Sequence, residues 1–219
     1  MIKHKIEIFS EAGYIRKYYN NVGELNRELE IYRKDWDFLP ALRNTGRDFL
    51  DIEYKSSMIL WDMSEIDFYE IGKLYGKLHN AETKEGKVIC HIDCNPRNVL
   101  YCPDEQKYYL IDFVDWRWEM AEYDVIHFLL FWAAALNESD YYKLTGKFYS
   151  GWKSIHKTSI TDWDFSYQRA VKYFIERRKS YGKKEQNNGG DEMINRERIK
   201  SLAGKCERVK ERGGEGVKM

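Results

Sequence analysis

The residues best suited to chemistry lie in one stretch, Val88 to Asp115, between two apolar, strand-like runs. His91 and Asp93 are separated by one residue, and Asn98 follows five residues after Asp93. A further carboxylate, Asp112, comes directly after the next apolar run. Carboxylate and amide oxygens are the ligands that Mg²⁺ prefers, and an ionised aspartate can accept a proton from a reacting hydroxyl. Because an H-x-D alone would carry little weight, the joint spacing is what predicts a catalytic site here.

The same stretch resembles the catalytic loop and metal-binding strand of the protein-kinase-like superfamily, with His91 to Asn98 as H-x-D-x-x-x-x-N and Ile111-Asp112-Phe113 in the place of D-F-G. Three departures indicate its aminoglycoside phosphotransferase and choline kinase branch. Ile92 replaces the Arg that holds a phosphorylated activation loop in regulated protein kinases. Only about a dozen residues separate the metal strand from a Y-D-L-A-like helix start at Tyr123, and there is no A-P-E. The resemblance covers roughly residues 5 to 135.

This resemblance implies roles for the central residues. Asp93 would orient the acceptor hydroxyl and accept its proton, while Asn98 and Asp112 would hold Mg²⁺ between the phosphate oxygens of ATP. His91 would brace the metal strand, and Asp124 would bond backbone N–H groups of the catalytic loop. The alternative is an ancestral loop geometry without catalysis.

A lysine for the nucleotide phosphates is expected on the strand before the first long helix. Residues 3–9 and 14–19 around a turn predict a β-hairpin, and Lys17 is the candidate on its second strand, with Arg16 as its rival. Glu28, on the helix predicted over 23–36, is its expected partner. The plainer interpretation places both side chains on solvated faces of a strand and an amphipathic helix.

The resemblance also implies a nucleotide-binding hinge at Glu53 to Lys55, after a second predicted hairpin. Backbone groups would hold the base there, so the side chains do not distinguish ATP from GTP. Only one strand and the turn Ser10-Glu11-Ala12-Gly13 precede the lysine strand, where the family has two strands and a glycine-rich loop. Either this turn is a reduced phosphate lid, or nucleotide is held weakly, or catalysis has been lost.

Composition limits the possible functions. The chain has 219 residues, 43% of them hydrophobic, which allows a sizeable core. Its 36 basic and 36 acidic residues balance, which disfavours nucleic acid and anionic membranes as partners. No window resembles a signal peptide or a membrane span, so we expect a cytoplasmic protein. The spacing of the cysteines, Cys90, Cys94, Cys102 and Cys206, favours reduced thiols over disulfides or zinc.

The C-terminal half reads as helices, with predicted starts near Asp124, Ser139 and Asp162 or Asp164. Its aromatic residues accompany acidic ones and could enclose an organic cation or stack on a sugar, although packing in the core is the commoner role. They are Trp116, Trp118, Trp132, Tyr141, Tyr142 and Trp152, with Asp115, Glu119 and Glu122. From residue 182 the composition shifts to that of a flexible charged tail.

The predicted fold is α+β, a two-lobed protein-kinase-like fold with an abbreviated N-terminal β-lobe (1–55), a mainly helical C-terminal lobe (56–181) and the tail (182–219). The predicted function is ATP- and Mg²⁺-dependent transfer of the γ-phosphate to a hydroxyl of a small molecule, such as an amino alcohol, an aminoglycoside or a sugar. Its partners would be the nucleotide and that acceptor. An atypical protein Ser/Thr kinase and an inactive pseudokinase that serves as a binding module are the alternatives.

Overall fold

The computed structural model describes residues 4–156 and 163–185. Contacts divide the chain into two compact units, Met1–Ile66 with His91–Arg117 and Asp67–Cys90 with Trp118–Met219. Each unit combines two separate parts of the chain, whereas the predicted lobes are continuous in sequence. The predicted lobe boundaries at 55/56 and 181/182 therefore stay predictions. The predicted tail lies outside the described residues from position 186 onward.

The described elements combine short antiparallel strands with helices, which confirms the α+β class. The strands are β1 (Ile6–Phe9), β2 (Tyr14–Tyr18), β3 (Leu42–Thr45), β4 (Phe49–Glu53), β5 (Met58–Ile59), β6 (Thr83–Lys84), β7 (Lys87–Cys90), β8 (Val99–Cys102), β9 (Lys107–Leu110) and β10 (Arg117–Glu119). The helices are α1 (Val22–Tyr32), α2 (Phe68–Ala81), α3 (Ala121–Ala135), α4 (Glu138–Ile155) and α5 (Trp163–Glu185). Short 3₁₀ helices lie at Leu60–Asp62 and Pro96–Asn98.

The first unit contains an antiparallel sheet in the order β1-β2-β4-β3. Both predicted hairpins are present, and β2 lies in the interior, with Lys17 opposite Leu50 and Tyr14 opposite Glu53. Because successive side chains of a strand point to opposite faces, Arg16 and Lys17 must face opposite sides of this sheet. The sheet therefore allows only one of these two residues to meet α1.

Helix α1 begins after Asn21, whose side chain accepts a hydrogen bond from the Gly23 backbone N–H. It ends at Tyr32, four residues before the predicted end. Its buried face includes Leu25, Leu29 and also Glu28, which is fully buried. Because a buried carboxylate is costly without hydrogen-bond partners, Glu28 must be paired with donors from other elements.

A second sheet of the first unit, in the order β5-β8-β9, positions the central stretch. The 3₁₀ turn that ends at Asn98 leads directly into β8, and β9 ends one residue before Ile111. Because Val99 pairs with Leu110, the antiparallel register places Asn98 beside Ile111. The hairpin thus brings the loop before β8 next to the residues after β9.

The second unit is built around the crossing of α2 and α4. Helix α2 begins after Asp67, which accepts hydrogen bonds from the N–H groups of Tyr69 and Glu70. A Cβ atom on Gly72 would lie 2.0 Å from the Phe148 carbonyl oxygen, and one on Gly151 would lie 2.0 Å from the Tyr69 carbonyl oxygen. Glycine is therefore required at both points where the two helix backbones meet.

Aromatic side chains fill the core of the second unit. Phe128 stacks on Phe148 with ring centroids 4.4 Å apart, and Phe68 and Tyr75 pack against the same Phe128 ring. No helix in residues 4–156 or 163–185 is long and apolar enough to cross a membrane. Cys90, Cys94 and Cys102 are buried free thiols, while Cys206 lies outside the described ranges.

Candidate active site

The ammonium of Lys17 lies between two carboxylates. Its Nζ donates to Glu28 Oε2 at 2.7 Å and to Asp112 Oδ1 at 2.6 Å. The Lys17 and Glu28 side chains are 8% and 0% exposed, whereas that of Asp112 is 43% exposed. The predicted partnership of Lys17 with Glu28 is therefore present, and Asp112 joins it from the far end of the central stretch.

The rival residue, Arg16, faces the other side of the sheet. Its guanidinium donates to both carboxylate oxygens of Asp51, at 2.7 and 2.8 Å, and lies 3.9 Å from the centre of the Phe49 ring. This paired and stacked arginine takes no part in the Lys17 cluster.

Charge pairing outweighs burial in setting the titration of this cluster. Burial lowers the pKa of Lys17, but Glu28 and Asp112 together raise that pKa above its ordinary value. Burial raises the pKa of Asp112, but the attraction of Lys17 outweighs it and leaves this pKa below its ordinary value. Both groups are consequently charged at neutral pH.

Glu28 is held by more than its lysine. Tyr19 Oη donates to Glu28 Oε2 at 2.6 Å, and the Phe113 backbone N–H donates to Oε1 at 3.3 Å. Both carboxylate oxygens of this buried group therefore have donors, which offsets the cost of removing its charge from water.

Helix α1 is also joined to the segment that follows Asp112. Trp116 Nε1 donates to the Arg27 carbonyl oxygen at 2.7 Å, and the Arg27 guanidinium donates to the Val114 carbonyl oxygen at 3.0 Å. Together with the Phe113 bond to Glu28, these contacts hold the segment that follows Asp112 against α1.

The loop that contains Asp93 and Asn98 is bonded to Ile111, the residue before Asp112, through both its N–H and its carbonyl group. The Ile111 N–H donates to the Asn98 carbonyl oxygen at 3.0 Å, and its own carbonyl oxygen lies 2.8 Å from His91 Nε2, which as the donor carries the proton. The Asn98 side-chain amide donates to the Asp93 carbonyl oxygen at 2.9 Å. These bonds bring the loop of Asp93 and Asn98 next to Asp112, and they confirm the predicted bracing role of His91.

Two non-glycine residues of this region have left-handed backbone conformations, Ile92 with φ 73° and Asp112 with φ 65°. Such conformations cost energy for residues with a side chain and persist where surrounding contacts impose them. Here the bonds to Ile111 and the pair with Lys17 supply those contacts.

The chemistry of Asn98 and Asp112 fits a hard divalent cation. Because the Asn98 Nδ2 atom is engaged by Asp93, the Oδ1 atom is the part of this amide left for a ligand. Within residues 4–156 and 163–185, Asp112 accepts its side-chain hydrogen bond from Lys17 through Oδ1, which leaves Oδ2 for a ligand. Two oxygen donors that leave room for water suit Mg²⁺.

The side chains of the predicted hinge form a separate cluster. Lys55 Nζ lies 3.1 Å from Glu53 and 2.7 Å from Glu105, which also accepts a hydrogen bond from Tyr109. Burial lowers the pKa of Lys55, but these partners raise it above its ordinary value. The Glu53 N–H donates to Ala41, whereas the Lys55 backbone forms no hydrogen bond within the described ranges.

A comparison with models of protein families matches residues 15–154 to a family described as the phosphotransferase enzyme family. This range contains every predicted site residue. The chain belongs to the phosphotransferase enzyme family. No curated protein matches the sequence significantly.

Solved structures of this phosphotransferase type share the fold. The choline kinase LicA from Streptococcus pneumoniae matches with a TM-score of 0.59 at 13% identity, covering 94% of this chain and 90% of that one. A spectinomycin phosphotransferase, APH(9)-Ia, in complex with ADP and spectinomycin, matches with a TM-score of 0.58 at 11% identity, covering 96% and 90%. The amicoumacin kinase hAmiN, in complex with AMP-PNP, Ca²⁺ and Ami, matches with a TM-score of 0.54 at 12% identity, covering 96% and 88%. The predicted protein-kinase-like fold and branch are confirmed.

The turn at residues 10–13 of this phosphotransferase-family protein does not suit a phosphate lid. The Ala12 N–H donates to the Phe9 carbonyl and the Gly13 N–H to the Ser10 carbonyl, while the Gly13 carbonyl accepts from the Tyr54 N–H. The turn thus lies beside the hinge, and Lys17 is three residues along β2 from Tyr14, roughly 10 Å away.

Several aromatic residues considered for the acceptor site lie in the core, the commoner of the two predicted roles. Trp132, Tyr141 and Trp152 are buried. Trp152 Nε1 donates to Nδ1 of the buried His79, whose Nε2 lies 3.1 Å from Asp124 Oδ2. Cys90 lies close to this pair, but both ring nitrogens of His79 are engaged, so the group fits a structural role better than a metal site.

Sequence reasoning missed Tyr19 and the Phe113 N–H as partners of Glu28. One signal was present, because Tyr19 follows Lys17 by two residues and therefore points to the same side of the strand. The backbone donor carries no sequence signal at all.

Proposed function

We propose that this protein is a kinase that transfers the γ-phosphate of ATP to a hydroxyl of a small molecule, with Mg²⁺. Membership of the phosphotransferase family supports the reaction class. The observation that carries the proposal is the Lys17 ammonium between Glu28 and Asp112, next to the loop of Asp93 and Asn98. Such a cluster provides a cation for phosphates, oxygen ligands for a metal and a carboxylate for the acceptor hydroxyl.

Each residue has a distinct proposed role. Lys17, fixed by Glu28, binds the nucleotide phosphates, and an ammonium fixed in advance does not reorganise during the reaction. Asp93 orients the acceptor hydroxyl and takes up its proton as the new oxygen–phosphorus bond forms and the bond to ADP breaks. The Glu53 to Lys55 segment holds the base through the backbone of Lys55, consistent with the side chains being engaged elsewhere.

Asn98 and Asp112 are the proposed metal ligands. When bound, Mg²⁺ would neutralise charge on the phosphate oxygens. The low pKa of Asp112, which the Lys17 charge maintains against burial, keeps this carboxylate ionised and ready to bind a cation at neutral pH.

The acceptor is proposed only as a class: an amino alcohol, an aminoglycoside or a sugar. The similar structures include a choline kinase, a spectinomycin phosphotransferase and an amicoumacin kinase, which supports a small molecule as the acceptor. Burial of Trp132, Tyr141 and Trp152 removes three of the aromatic residues that would have enclosed a cation.

Calorimetric titration of ATP with and without Mg²⁺ tests the proposal. We expect Mg²⁺-dependent binding by the wild type and by Asp93→Asn, and its loss in Asp112→Ala. Asp93→Asn should lower phosphate transfer to an acceptor by about 10²- to 10⁴-fold, the usual contribution of a general base. Asp104→Asn, an exposed aspartate in the β8–β9 turn, is the matched control and should behave as the wild type.

Absence of ATP binding by folded wild type would refute the kinase proposal. Because the turn at 10–13 is no phosphate lid, that result would favour the second candidate, a binding module without catalysis. Transfer of phosphate to generic proteins in place of small alcohols would instead indicate a protein kinase.

A further inference from the structure

Tyr19 contacts both members of the buried ion pair. Its hydroxyl donates to Glu28 Oε2 at 2.6 Å, and the centre of its ring lies 5.3 Å from Lys17 Nζ. The same carboxylate oxygen accepts from Lys17 at 2.7 Å. One tyrosine therefore holds the carboxylate by its hydroxyl and faces the ammonium with its ring, within the distance of a cation–π contact.

The ion pair of Lys17 and Glu28 needs an additional hydrogen-bond donor to hold the carboxylate. Lys17 is shared between Glu28 and Asp112, so its position depends on both carboxylates. In the proposed function Asp112 turns to a cation and Lys17 to phosphate, which weakens the bond between them. Glu28 is fully buried, so a donor that does not change its role is needed to hold its carboxylate in place.

Tyr19 is well suited to that requirement. Burial raises the pKa of its phenol, and the Glu28 charge raises it further, so the hydroxyl remains a donor. The Tyr19 backbone N–H donates to the Asp48 carbonyl at 2.7 Å, and its ring lies 4.7 Å from the His4 ring. The residue is thus fixed at its backbone, its ring and its hydroxyl.

We propose that Tyr19 is a positioning residue for nucleotide binding, which orients Glu28 and through it holds Lys17 toward the phosphates when Asp112 is engaged by a cation. This inference rests on the proposed function and adds to it a residue that touches neither nucleotide nor metal. It explains why a tyrosine follows Lys17 on the same side of the strand.

The test is the affinity for Mg²⁺·ATP, measured by calorimetry, of Tyr19→Phe, which keeps the ring and removes the hydroxyl. We expect about tenfold weaker binding, near the lower limit for a hydrogen bond to a charged group. The matched control is Tyr18→Phe, which removes a hydrogen bond of similar length, to Glu7 at 2.8 Å, at the adjacent position.

A double-mutant cycle separates positioning from general structural damage. In a Glu28→Gln background, the loss of affinity caused by Tyr19→Phe should shrink from about tenfold to within about twofold, because the residue acts through the carboxylate. If Tyr19→Phe caused a general structural defect, it would lower the affinity by the same factor in the wild-type and Glu28→Gln backgrounds. Circular dichroism spectra establish that each variant is folded.

The outcomes are distinct. Wild type that binds Mg²⁺·ATP together with a Tyr19→Phe variant that binds equally well would overturn this inference and leave the proposed function intact. Equal losses in the wild-type and Glu28→Gln backgrounds would also overturn it. Folded wild type that fails to bind nucleotide would overturn the proposed function and this inference with it.

Discussion

Replacing Lys17 with methionine should destabilise the protein strongly, because it leaves a buried carboxylate without its cation. The Glu28 side chain is 0% exposed and that of Lys17 is 8% exposed, so solvent does little to screen the orphaned charge. Breaking a buried ion pair in this way typically costs about 3–5 kcal/mol. The Asp112 side chain, at 43% exposure, is better screened by solvent than Glu28 and adds less to that cost.

The assay is thermal unfolding followed by calorimetry, with urea unfolding as a second probe. For a chain of this length each kcal/mol corresponds to about 2–4 °C, so we expect the unfolding temperature to fall by roughly 6–20 °C. Lys55→Met is the matched control, because Lys55 also lies between two carboxylates, Glu53 and Glu105, which are 24% and 39% exposed. It should cost about 1 kcal/mol or less.

The stability difference between wild type and Lys17→Met should also depend on pH. Asp112 has a lowered pKa, so its contribution is present above its unfolded value of 3.8 and is lost as the pH falls through its lower folded value. Lys17 has a raised pKa, so its contribution is present below 10.5 and is lost as the pH rises through its higher folded value. The difference in unfolding free energy between wild type and Lys17→Met should be constant from about pH 5 to about pH 10, and it should decrease below and above that range. Equal effects of the two methionine variants, or a difference that grows toward low pH, would refute the reasoning.

Two further predictions concern the second unit. Gly72→Ala should destabilise the protein by about 3 kcal/mol or more, because the new methyl group meets the Phe148 carbonyl, whereas Gly146→Ala, in open space on α4, should stabilise it by about 0.5–1 kcal/mol in urea unfolding. Burial lowers the pKa of His156 to about 4, with help from neighbouring positive charge, so the folded protein should lose up to about 3 kcal/mol as the pH falls from 6.5 to 4. His156→Gln should flatten that pH profile, and an unchanged slope would contradict the assignment to this histidine.

Much of the first unit follows from local patterns. Alternation and turn residues predict both hairpins, and the spacing of Asp93, Asn98 and Asp112 predicts a loop and a strand that must meet, because β8 and β9 form one antiparallel pair. Helix ends were less predictable. Ser64 and Asp67 are both good capping residues, and which one caps α2 depends on where the packed helix begins.

The aromatic residues show where the sequence left two roles open. A tryptophan has the same pattern whether it lines a pocket or fills a core. Trp132 and Trp152 are buried because close backbone contact at Gly72 and Gly151 brings α2 and α4 together, and the neighbouring space must then be filled. The local sequence does not predict how closely these two helices approach each other.

The sequence by itself predicted the phosphotransferase family and the loop and segment that carry Asp93, Asn98 and Asp112, because residue types and their short spacing can be read along the chain. Only the tertiary structure decided that Lys17 and not Arg16 meets Glu28, that Asp112 joins them from 95 positions away, and that Tyr19 completes the cluster. The physical reason is that strand period and turn geometry are local, whereas the pairing of a buried charge depends on which distant elements pack against it.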